Sequence, residues 1–112
     1  MPEALVQLDE GGLPVMPTYI TLINWTDQGV RNAKDTVQRF EAAAGAGMKM
    51  GVKFKDIHWT MGAYDIVGVI EAPDDAALSR FLLATGALGN IRTTTMRAYS
   101  KDEMTQILKG LP

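Results

Sequence analysis

Apolar and polar positions change period several times along this chain, and each change marks an element. Thr18 to Trp25 is rich in β-branched and aromatic residues, which predicts a strand. Ile20 and Leu22 fall on one side of it; Tyr19, Thr21, Ile23 and Trp25 fall on the other. Both sides are largely apolar, so the strand belongs in the middle of a sheet. Thr26 or Asp27 then caps a helix. Val30, Ala33, Val37, Phe40, Ala44 and Gly47 or Met48 recur at helical spacing and predict one apolar stripe on a helix running to Met48 or Met50. Arg31, Lys34 and Arg39 alternate with Asp35 and Glu41, the pattern of a solvated face.

Val52 to Thr60 reads as a second strand, diluted by Lys53, Lys55, Asp56 and His58 as an edge strand is. Gly62 supplies a permissive turn backbone. Tyr64 to Glu71 is a third strand, apolar on both faces through Ile66, Val67, Val69 and Ile70 and therefore central. Asp74 or Asp75 caps a second helix, with Leu78, Phe81, Leu82 and Thr85 inward and Gly86 and Gly89 closing it. Ile91 to Tyr99 alternates with Arg92, Thr94 and Arg97 and reads as the other edge. Ser100 and Glu103 have the spacing of a capping box for a short last helix carrying Met104, Ile107 and Leu108.

The order β-α-β-β-α-β, plus a terminal helix, predicts an α+β ferredoxin-like sandwich with strands one and three in the centre. Two helices cover one sheet face only. The bare face is expected to keep some of Tyr19, Ile23, Trp25, Ile66 and Ile70, although the pattern leaves open which strand parity faces the helices. An exposed apolar sheet needs a partner, and a homodimer packed sheet on sheet is the simplest one.

Composition narrows the classes. A chain of 112 residues is read as one domain, placed at residues 16–112. Met1 to Val15 contains Gly11-Gly12 and Pro14 without lasting periodicity and is expected to be a flexible extension. Its acidic residues and lack of basic ones do not suit a signal peptide. The net charge of −2 argues against a nucleic-acid partner, which needs clustered Lys and Arg. With no cysteine, disulfides and thiolate chemistry are excluded. No apolar run approaches the roughly 20 residues that span a bilayer, so a cytoplasmic protein without a membrane partner is expected. The seven methionines read as core filler.

Four ordered stretches carry a resemblance. They are Met16 to Gly29, Thr60 to Val67, Glu71-Ala72-Pro73-Asp74-Asp75, and Gly89-Asn90-Ile91-Arg92-Thr93-Thr94-Thr95. Together they resemble the GYD domain family, named for a Gly-x-Tyr-Asp turn, here Gly62, Tyr64 and Asp65. The likeness covers about Met16 to Leu108. The family is bacterial and archaeal, and it resembles the dimeric α/β-barrel group. That group includes cofactor-free monooxygenases, haem-dependent enzymes and the effector-binding domains of leucine-responsive regulators. The resemblance implies the fold and a dimer, and leaves the function open.

Six residues are candidates for a ligand site: Tyr19, Asn24, Trp25, His58, Tyr64 and Asp65. Asp65 would serve as a base with Tyr64 as a donor, or Asp65 would accept backbone N–H groups in the turn while Tyr64 packs. Asn24 and Trp25 suit a pocket as donor and wall, or a turn and the core. His58 lies two residues from Asp56 on one strand face, but a single histidine without cysteine makes a poor metal or haem site. Gly89 to Thr95 with Arg92 would offer donors to an anion, yet lacks phosphate-loop spacing; the alternative is a helix stop and a threonine-rich edge strand. No cofactor and no metal are expected. The sequence predicts a small-molecule-binding or regulatory module, likewise oligomeric. The alternative is a small cofactor-free enzyme, of monooxygenase or isomerase type, with a pocket between sheet and helices lined by the six candidates. A third reading is a purely structural assembly unit with a filled interior.

Overall fold

The computed structural model describes residues 16–112. The expected extension at residues 1–15 lies outside the described residues. Four strands, β1 (Thr18–Trp25), β2 (Lys53–Trp59), β3 (Ile66–Glu71) and β4 (Ile91–Ala98), form one antiparallel sheet in the order β2-β3-β1-β4. The two strands that are apolar on both faces are thus central, and the two diluted with charge are the edges. This is the ferredoxin-like arrangement that the element order predicts.

The helices are α1 (Asp27–Arg31), α2 (Thr36–Lys49), α3 (Asp75–Gly86) and α4 (Lys101–Leu108). Each short polar cap does its expected work. Thr26 accepts from the Gly29 N–H, Asp74 from the Ala77 N–H, and Ser100 and Glu103 close a complete capping box.

The first long helix differs from the expectation. It breaks at Asn32, and a 3-10 turn at Ala33–Asp35 joins α1 to α2. The break frees backbone carbonyls that a continuous helix would have satisfied. Arg39 donates to Gly29 O at 3.1 Å and joins the Asp35 N–H on Asn32 O, at 2.5 Å. Arg39 is therefore half-buried and not part of a solvated face. The break also rotates the helix. Val30 and Val37 are about half exposed, while Thr36, Phe40, Ala43 and Gly47 turn inward.

The helices cover the face that carries Tyr19, Thr21 and Ile23 on β1 and Ile66 and Ile70 on β3, all buried. The bare face carries a different set from the one expected. Register places Asp56, Val69, Ile20 and Met96 in one row across the sheet, and His58, Val67, Leu22 and Thr94 in the next. Both parities of β1 and β3 are apolar, so burial of the odd residues of β1 still leaves aliphatic residues outside. Met48, Met61, Met96 and Met104 are exposed, Met61 at 97%, so these four are not core filler. β3 also starts at Ile66, two residues later than the pattern suggests, because Tyr64 and Asp65 are taken up by the turn.

The core proper is Tyr19, Val52, Ile70, Ala72, Leu78 and Phe81. It lies towards one end of the sandwich, under the start of α3. α4 stands at the end of β4, held by an Arg97–Glu103 ion pair of 3.4 Å, with Met104, Ile107 and Leu108 largely exposed.

Candidate functional site

Two places gather the residues singled out in the sequence. The first is a corner at the far end of β1. There the Asp65 carboxylate accepts the backbone N–H of Trp25 at 2.9 Å, and the Asp65 N–H donates to Ile23 O. Asn24 Nδ2 donates to Ala63 O, and the Thr60 hydroxyl to Tyr64 O. On the other side of β1, the Thr26 N–H donates to Asn90 O and the Thr26 hydroxyl to Gly89 O. Gln28 Nε2 reaches Leu88 O and Asn90 Oδ1. Gly29 lies so close to this connection that a Cβ would stand 2.0 Å from Asn90 O. Three of the four stretches that carry the family likeness therefore bind one another. Their polar groups are spent on joining β1 to the β2–β3 turn and to the α3–β4 connection.

The second place is a groove of about 440 Å³ between α2, α3 and the helix-facing side of the sheet. It is of a size and apolar character typical of small-molecule sites. An aromatic chain forms part of its surroundings. Phe40 meets Phe54 edge-on at 5.0 Å and Trp59 at 5.9 Å, and Phe54 meets Phe81 at 5.9 Å. Phe40, Phe54 and Phe81 line the groove; Ile23 and Ile66 form its floor. The small residues of α2 that line it, Ala42, Ala43 and Ala46, leave its volume unfilled. Arg39 is the one charged residue among the described residues that line it.

Of the six candidates, Trp25 lines this groove. Its indole N–H is buried and has no acceptor among the described residues, a costly state for a donor. The other five sit elsewhere. Tyr19 is in the core and donates to the Asp75 carboxylate at the start of α3. Burial, and then the Asp75 contact, push its phenol up to about 12. Asn24, Tyr64 and Asp65 belong to the corner. His58 faces the bare side of the sheet, paired with Asp56 at 3.1 Å. Among the described residues no three His, Asp or Glu side chains gather as a metal site requires.

Sequence reasoning missed Arg39, Phe40 as a groove wall, and the alanines of α2. A signal was present. Thr36, Ala43 and Met50 also fall at helical spacing with Phe40 and Gly47, which shifts the apolar stripe away from Val37 and Ala44.

The sequence profile of the GYD domain family matches residues 19–108. A Thermus thermophilus protein named glutamine synthetase and cystathionine beta-lyase binding protein is 30% identical over 95 residues, spanning 84% of this chain and 100% of its own. Among solved structures, the crystal structure of MtbAldR superposes with a TM-score of 0.59 at 15% identity, over 76% of this chain and 52% of that one. The chain thus spans about half the length of that protein. The solution structure of the C-terminal domain of the MgtC protein from Mycobacterium tuberculosis gives a TM-score of 0.44 at 14% identity, over 80% and 92% of the two chains. None of the described helices is long and apolar enough to cross a membrane.

Proposed function

We propose, given that the chain belongs to the GYD domain family, that it is a regulatory binding module that takes a small apolar ligand and works as a homodimer. The observation that carries this reading is the groove between sheet and helices, large enough for a metabolite and lined mainly by apolar side chains. Among the described residues its lining includes no carboxylate and no imidazole, which favours binding over acid–base catalysis. A structural assembly unit has no use for such a space, and a packed interior would ordinarily close it.

The name of the Thermus thermophilus relative supports a role exercised through other proteins: ligand occupancy would alter how the module engages a partner enzyme. The rows of aliphatic residues on the bare sheet face support a sheet-on-sheet dimer. The same relative, and the lack of a membrane-crossing helix among the described residues, favour a bacterial cytoplasmic setting. Residues 16–112 would then act as one unit.

A thermal-shift panel of apolar metabolites tests the ligand reading. A compound at a hundred times its Kd adds about 2.7 kcal/mol of stability, which raises the Tm of a domain this size by roughly 10 °C or more. A panel without a single shift would remove the ligand from the proposal and leave a protein-binding module alone.

A further inference from the structure

The geometry points to the chemical class of the ligand: an apolar chain or ring system that ends in one carboxylate, held by Arg39. This rests on the groove being a ligand site. Its wall is hydrocarbon and aromatic over most of its area, so the body of the ligand must be apolar. The exception is Arg39. Two of its N–H donors go to the neutral carbonyls of Asn32 and Gly29, which fix the guanidinium in place but leave its charge uncompensated among the described residues. Arg39 takes part in none of the three ion pairs formed among the described residues, which are Lys55–Glu71, His58–Asp56 and Arg97–Glu103.

A half-buried guanidinium beside apolar surface gains most from an anionic partner, because the surroundings screen the attraction less than water does. Its position is already set by the two carbonyls, so little side-chain freedom is lost when an anion binds. One guanidinium suits a singly charged head. A phosphate, with more charge and more acceptor atoms, would want further cations, and among the described residues no other charged one lines the groove. Trp25, with its buried and unpartnered indole N–H, lines the same space.

Isothermal titration with decanoate and decanol separates this inference from the reading beneath it. The two probes share a hydrocarbon chain and differ in the head. Decanoate is expected to bind at least about tenfold more tightly than decanol, the gain from one charge-assisted contact. Arg39→Gln should bring decanoate down to the decanol level. Because Arg39 also braces α1, Ala46→Trp serves as a second variant. Ala46 is exposed and lines the groove, so a tryptophan there fills it and should abolish binding of both probes. Equal affinity for the two probes would overturn the carboxylate assignment while leaving an apolar ligand site. Binding of neither would overturn both, and binding that survives Ala46→Trp would place the site elsewhere.

Discussion

The carboxylate of Asp65 accepts the main-chain N–H of Trp25 across the gap between the β2–β3 turn and the end of β1, at 2.9 Å. The most recognisable acid in the sequence is thus engaged in holding two backbone segments together. Asp65→Ala leaves that N–H without its acceptor and is expected to cost about 1–3 kcal/mol. Asp65→Asn keeps an acceptor oxygen and should cost much less. Urea denaturation of the two variants checks the order; equal losses would mean that the charge, not the acceptor, matters.

The other half of the corner is sensitive to volume. A methyl group on Gly29 would meet the carbonyl of Asn90, which is backbone and has no rotamer to escape into. Gly29→Ala is expected to cost about 3 kcal/mol or more. Gly45→Ala is the contrast: nothing lies within 4 Å of its added carbon, and the position is exposed in the middle of α2. That change should stabilise by about 0.5–1 kcal/mol. Chemical denaturation reads both.

Tyr19 gives the protein an alkaline limit. Its folded value of about 12 lies above its ordinary value of 10.0, so the phenol is neutral in both folded and unfolded chains below the lower value. Stability from this residue is then fully present below pH 10 and falls as pH rises towards 12. Tyr19→Phe should remove that decline from the pH–stability curve, while lowering stability at neutral pH through loss of the Asp75 contact. A decline of the same depth in the variant would assign it to other groups.

The bare sheet face predicts the oligomer. Ile20 and Val69 face each other across β1 and β3, as do Leu22 and Val67. Light scattering should give at least twice the protomer mass of 12.2 kDa, and the double variant Leu22→Glu, Val67→Glu should give a folded monomer. A wild-type monomer at micromolar concentration would contradict the dimer.

The sheet order was legible in the sequence because burial writes itself into composition. Strands with two apolar faces must be central, and strands carrying Lys53, Lys55 and Arg92 tolerate an edge. Which parity faced the helices was not legible, for the same reason: Ile20 and Ile23 are equally apolar, so alternation carries no sign. The break at Asn32 was hidden because the contacts that brace it are remote in sequence: Arg39, on the next helix, donates to Asn32 O and Gly29 O. Of the proposed site, Trp25 and a pocket between sheet and helices could be named from sequence, but the rest of the lining could not. Part of its lining is alanines of α2, which leave room inside but which any core helix would also accept.

The most direct measurement uses two side chains as reporters. The chain has one histidine, on the bare sheet face, and two tryptophans, of which Trp25 lines the groove. In an NMR titration with a compound that stabilises the protein, the Trp25 indole signal should move while the His58 ring signals stay in place. Movement of His58 with a silent Trp25 would put the ligand on the sheet face and contradict the groove as the binding site.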